Sequence, residues 1–108
     1  MKKTNDQIAK MNDLFRTTMI SVPTRKVVLT EGVADSADRE EIITAVRDYT
    51  DFNPDNDPYG EHDFGNFVIN GVKYFFKIDY YDLSWEYGAD PHSESTALLL
   101  TIMRADEY

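Results

Sequence analysis

Asn66-Phe67-Val68-Ile69-Asn70-Gly71-Val72-Lys73-Tyr74-Phe75-Phe76-Lys77-Ile78-Asp79-Tyr80-Tyr81 is the stretch whose reading decides the fold. Two runs rich in β-branched and aromatic residues flank an Asn-Gly pair, and a type I′ turn needs positive φ at both of its central positions, which that pair tolerates best. The turn sets the register. Ile69 then faces Val72 and Phe67 faces Tyr74, so Phe67, Ile69, Val72, Tyr74, Phe76, Ile78 and Tyr80 share the face expected to be core. Asn66, Val68, Lys73, Phe75, Lys77, Asp79 and Tyr81 occupy the other.

Further along, Ala97-Leu98-Leu99-Leu100-Thr101-Ile102-Met103-Arg104 is apolar on both faces, which suits a central strand beside the long hairpin strand. Before the hairpin, Arg25 to Thr30 reads as a strand between Pro23 and Gly32. Thr4 with Gln7 has the form of a capping box, and Ile8, Met11, Phe15 and Met19 follow at helical spacing, predicting a helix over about 5–19. Lys10, Asn12, Asp13, Arg16 and Thr17 form its expected solvent face. A second helix is predicted over about 37–50, capped by Asp35 or Ser36, with Ile42, Ile43, Val46 and Tyr49 as its stripe and Asp38, Glu40 and Glu41 near its positive end. The expected fold is α+β in one domain, residues 1–108. Two helices pack on one face of a mainly antiparallel four-stranded sheet, in the order helix, strand, helix, strand, strand, strand.

The chain has no cysteine, which excludes thiolate metal sites, thiol nucleophiles and disulfides. It shows no signal-peptide pattern and no run of 18 apolar residues, so a cytoplasmic protein without membrane attachment is expected. Net charge is −9 and regional: residues 1–30 hold six bases and two acids (+4), residues 31–108 five bases and eighteen acids (−13). A field of that sign repels phosphates and attracts basic partners. The basic set Lys2, Lys3, Lys10, Arg16, Arg25 and Lys26 is too weak to predict direct nucleic-acid binding.

Residues 51–63 form a long predicted loop with turn signals at Asn53-Pro54, Asp57-Pro58 and Tyr59-Gly60, and a second irregular stretch runs from 83 to 96. Asn56-Asp57-Pro58-Tyr59-Gly60-Glu61-His62-Asp63-Phe64-Gly65, Lys77-Ile78-Asp79-Tyr80-Tyr81-Asp82, Asp90-Pro91 and the closing Leu100 to Tyr108 resemble a family of bacterial proteins of about a hundred residues. Leu14-Phe15-Arg16 and Thr30-Glu31-Gly32-Val33 extend the likeness, and Phe76 stands where that family's pattern has tryptophan. The family is a domain of unknown function often carried on plasmids and other mobile elements, so the resemblance implies no activity.

Three chemistries are open to these residues. Asp57, Glu61, His62, Asp63 and Asp79 are oxygen and imidazole donors suited to Mg²⁺ or Mn²⁺, the basis for a metal-binding hydrolase or regulator as the alternative reading. Their spacing matches no established metal motif, and Asp57 and Asp63 could equally bond local backbone N–H groups while His62 packs. His62 with a carboxylate, or Asp79 with Asp82, could serve acid–base catalysis, but no nucleophile or phosphate-loop pattern accompanies them. The leading expectation is a non-enzymatic acidic binding protein without a cofactor. Asp55, Asp57, Tyr59, Glu61, Asp63, Asp79, Asp82, Trp85, Glu86, Tyr87 and Asp90 would form its contact surface, with the tyrosines and tryptophan as anchors. Its expected partner is the basic groove of a host nucleic-acid-binding defence complex, occupied by a nucleic-acid mimic as in an anti-CRISPR or anti-restriction protein.

Overall fold

The computed structural model describes residues 1–108. The hairpin forms as its turn chemistry requires: β2 (Phe64–Ile69) and β3 (Val72–Tyr81) pair antiparallel with Ile69 opposite Val72 and Phe67 opposite Tyr74. Asn70 and Gly71 adopt φ of 49° and 81° in the turn. β4 (Ala97–Arg104) lies antiparallel to β3, with Phe76 opposite Ile102 and Ile78 opposite Leu100. β1 (Arg25–Leu29) then joins the far side of β4, giving the order β1-β4-β3-β2.

The β1–β4 pairing is parallel, so the sheet is mixed rather than mainly antiparallel. Hairpin chemistry names the partner of β2, whereas nothing local in Arg25–Leu29 specifies its partner or direction. The helices also differ from expectation. α1 (Asn5–Thr18) has the Thr4–Gln7 capping box and ends on Met19 in the left-handed conformation. The expected second helix divides into a short α2 (Glu31–Ala34) and α3 (Arg39–Arg47), so the order is helix, strand, helix, helix and three strands. The chain thus returns to helix directly after β1, at the Glu31-Gly32 stretch read as a strand end. Asp38 rather than Asp35 or Ser36 sits at the α3 N-cap, and the Ser36 hydroxyl instead accepts the Asp38 N–H at 3.0 Å.

All three helices pack on one face of the sheet. Phe15 of α1, Val33 of α2 and Ile42 and Val46 of α3 meet Tyr74, Phe76 and Ile78 of β3 and Leu98, Leu100 and Ile102 of β4 in one buried cluster. Tyr74, Phe76 and Ile78 are inside as the register predicts, Phe67, Ile69 and Tyr80 pack at its margin, and Val72 at the turn is exposed. The opposite face of the sheet carries no helix. At the C-terminus a 3-10 turn, Ala105–Glu107, lets the Glu107 carboxylate accept from the Thr30 hydroxyl at 2.7 Å and from the N–H groups of Gly32 and Arg104 at 2.8 Å. The tail therefore ties the start of α2 to the end of β4.

The expected solvent face of α1 is the largest departure. Asn12 is fully buried and Arg16 is 3 % exposed, because the C-terminus of α3 and the loop after it close over that side of α1. Arg16 Nη1 donates to the carbonyls of Val46 at 2.7 Å and Arg47 at 3.1 Å, capping α3 where its dipole favours a cation. Its guanidinium lies 5.4 Å from the centre of the Phe52 ring and 5.6 Å from that of Phe76.

Candidate functional site

The long loop between α3 and β2 is built by its own side chains. The Asn53 amide oxygen accepts from the N–H groups of Asp55 at 3.0 Å and Asn56 at 3.2 Å, while Asn53 N–H donates to the Asn56 side chain at 3.0 Å. Asp57 then accepts from the N–H groups of Glu61 at 3.0 Å and His62 at 3.2 Å. Gly60 and His62 have φ of 66° and 57°, which turns the chain back toward the sheet. For Asp57 the local-bonding reading of the sequence is what the fold contains.

α1 holds this loop from beneath. Asn12 Nδ2 donates to the Glu61 carbonyl and to the Tyr80 hydroxyl oxygen, both at 2.9 Å, and the Tyr80 hydroxyl donates to Asp63 Oδ2 at 3.0 Å. His62 Nδ1 lies 3.0 Å from both Asp13 carboxylate oxygens, its Nε2 is 3.7 Å from Asp57 Oδ2, and its ring stacks on Phe52 at 4.0 Å. Carboxylates face both ring nitrogens, so His62 is a clamp between α1 and the loop. A surface depression lined by Phe52, Asp57, Tyr59 and His62 opens beside it.

Electrostatics at the margin of this cluster are strained. Burial, reinforced by the nearby charges of Asp63, Asp57 and Asp90, raises the Glu61 pKa above the ordinary range despite the opposing His92. Burial likewise raises Asp63, against the hydrogen bond from Tyr80. Burial and the Asp63 charge push the Tyr80 phenol up, so it stays a donor. Acids with raised folded pKa values stabilise the protonated fold, and that contribution is lost as pH rises from the unfolded value through the folded one. Glu61→Gln should therefore raise the melting temperature at neutral pH and leave it unchanged well below the Glu61 unfolded value. A melting-temperature series from about pH 3 to pH 8 in which variant and parent run parallel would refute this. Asp90 and Asp106, held low by bonds to His92 and Arg104, have the opposite slope and lose stability as pH falls.

The expected contact residues have divided fates. Asp55, Tyr59, Glu86, Tyr87 and Asp90 are exposed, whereas Asp57 and Glu61 are each only 9 % exposed. Asp63 is bonded to Tyr80, Asp79 pairs with Lys77 at 3.0 Å on the helix-free face, and Asp82 accepts from Ser84 and the Glu86 N–H in its own turn. Trp85 donates its indole N–H to the Pro23 carbonyl at 2.9 Å, and the Lys26 ammonium lies 4.2 Å from its ring centre. Asp90 accepts the His92 N–H at 2.9 Å. Within the two irregular stretches the carboxylates of Asp57, Asp63, Asp90 and Glu94 are committed within the fold, whereas those of Asp51, Asp55, Glu61 and Glu86 carry no hydrogen bond or ion pair. Asp63 and Asp79 are drawn to opposite faces of the sheet, and no three histidine, aspartate or glutamate side chains form a group able to hold a metal ion.

Apart from Glu86, the exposed uncommitted acids after residue 30 begin one element earlier, and the expected contact surface, centred on the two loops, missed those of α2 and α3. Residues 31–55 contain eight acids and two bases, net −6 of the total −9. Glu31, Asp35, Glu40, Glu41, Asp48, Asp51 and Asp55 are exposed, and their one ion pair is the Arg39–Glu40 contact at 3.8 Å. Their sequence signal was the acidic first turn of the predicted second helix, which also fits ordinary dipole compensation.

Fold and surface together define a small α+β protein with a mixed four-stranded sheet, one helical layer and seven exposed acids between residues 31 and 55. Residues 29–107 match the model of a family described as protein of unknown function (DUF3768), and the chain belongs to that family. The matched span runs from the end of β1 to the tail clamp and includes the hairpin and both irregular stretches. Searches of curated proteins and of solved structures returned no match. No helix is long and apolar enough to cross a membrane.

Proposed function

We propose that the protein is a non-enzymatic acidic binding protein that occupies the basic, nucleic-acid-binding groove of a host defence complex. The observation that carries this reading is the row of exposed acids on α2, α3 and the loop start. Buried or internally bonded carboxylates gain little from a partner's arginines, because they already have their bonds. Exposed, unpaired ones can exchange water for guanidinium and ammonium groups. Tyr59 and Tyr87, exposed over about 70 % of their surface, supply apolar anchors with a polar tip. The mechanism is occlusion: carboxylates stand in for backbone phosphates and prevent the groove from holding its own ligand.

Capture by the tagged protein from a bacterial lysate, eluted with increasing salt with and without EDTA, tests the reading. A nucleic-acid-binding complex that releases with salt and ignores EDTA supports it. The triple charge reversal Glu40→Lys, Glu41→Lys, Asp48→Lys should abolish capture while the protein stays folded, with only a small fall in melting temperature from the lost compensation of the α3 dipole. Unchanged capture by that variant would refute the assignment of the acidic row.

A further inference from the structure

We infer that two copies of this chain pair through β2 to form a two-fold dimer with a continuous eight-stranded sheet. The outer strands of the sheet are β1 and β2, and they are protected very differently. β1 carries Arg25 and Lys26, follows Pro23, and has its approach folded back by the bridge between Val22 and Arg25. These are the usual means of preventing edge-to-edge pairing. β2, Phe-Gly-Asn-Phe-Val-Ile, has none of them: no charge, no proline, and a one-for-one register with β3 that leaves no bulge.

Its hydrogen-bonding parity shows which groups are available. Ile78 N–H donates to the Asp63 carbonyl at 2.8 Å, so in the antiparallel ladder Gly65, Phe67 and Ile69 turn their backbone groups to β3. Phe64, Asn66 and Val68 turn theirs outward, and no turn or loop elsewhere in the fold bonds them. A two-fold axis through Asn66 sets Phe64 opposite Val68 of the second copy, Asn66 opposite Asn66, and Val68 opposite Phe64. All three positions are the outward-bonding ones, so about six backbone hydrogen bonds form without a register shift. Val68, 61 % exposed in one copy, gains an aromatic cross-strand neighbour, and the two Asn66 amides meet each other.

Short-range charge at the strand ends fits a second copy, although the net −9 of each chain opposes the pairing. Lys73 pairs across the ladder with Val68 and has no carboxylate partner. Asp51 and Asp55 flank Phe64 in a surface depression that Lys73 of the same chain also lines, without an ion pair between them. The two-fold brings the Lys73 end of each β2 to the Asp51 and Asp55 end of the other. Against this, α3 of each copy lies on the same side of the joined sheet with Glu40, Glu41 and Asp48, which repel across the axis. Salt screens that longer-range repulsion, so the dimer strengthens with ionic strength while the charge-driven capture above weakens.

Sedimentation equilibrium of the full chain tests the inference. The expected mass is about 25 kDa, twice the 12.5 kDa of one chain, with the dimer fraction rising with concentration and with salt. Asn66→Pro removes an outward N–H that the fold does not use, and Val68→Glu places a carboxylate beside Asp51 and Asp55 of the second copy, where like charges repel. Each should give a single-chain mass. Circular dichroism and melting of Val68→Glu should match the dissociated parent, which keeps the test valid if proline disturbs the strand. A single-chain mass for the parent at every concentration and salt, or a dimer that survives both substitutions, would overturn the inference.

Discussion

Arg16→Ala is expected to cost about 3–5 kcal/mol, read as a fall in the urea midpoint at unchanged slope. The guanidinium is the shared fastener of α1 and α3: it satisfies the last carbonyls of α3 at Val46 and Arg47, bonds Asp13 at 3.0 Å, and rests against Phe52 and Phe76. Its removal leaves buried acceptors without donors and a space beside two aromatic rings. Set against a domain stability of about 5–15 kcal/mol, the loss takes about a fifth or more of the whole. Arg16→Lys should recover part of it, since one ammonium cannot span both carbonyls and the carboxylate. Asp13→Ala should cost less even though it also frees the α1 side of the His62 clamp, because that side chain is 38 % exposed and the carbonyl contacts of Arg16 survive. Equal losses for Arg16→Ala and Asp13→Ala would show that the ion pair, not the helix cap, holds α1.

Gly65→Val is expected to cost about 3 kcal/mol or more. A Cβ at Gly65 would enter the ring of Phe76 and come 2.7 Å from the Tyr49 ring, and these two rings meet edge to face at 5.1 Å. Gly65 is the floor on which they pack, so even one added carbon forces Phe76 out of the core. Pairing Gly65→Ala with Phe76→Leu should cost less than the sum of the two single changes, because the smaller side chain vacates the contested space. Strict additivity of the two losses would exclude the steric cause.

The hairpin, its register and the α1 capping box were legible because each depends on a few adjacent residues. Asn70-Gly71 meets a dihedral requirement, and alternation across the sheet has a period of two that survives any tertiary context. The polar face of α1 misled for the same reason. Asn12 and Arg16 fit a solvent-facing stripe by spacing, yet both are buried, because the groups that bond Asn12 Nδ2 and Arg16 Nη1 come from residues 46–47, 61 and 80. Nothing within α1 announces those partners. The acids of the 57–63 segment gave a similar ambiguity: composition marks a charged loop, and only the return of the chain onto Asp57 and Tyr80 separates structural carboxylates from exposed ones.

Local chemistry therefore accounts for the α+β class, the hairpin, the core face of β3 and the acidity of everything after residue 30. The parallel entry of β1 beside β4, the division of the second helix and the burial of Arg16 arise from contacts between segments tens of residues apart. Their free energies appear once the core has closed, and no short window of sequence contains both partners. The acidic surface has the same origin. The chain specifies how many carboxylates there are, and the packing of the loops decides which of them find a donor inside and which are left to face a partner.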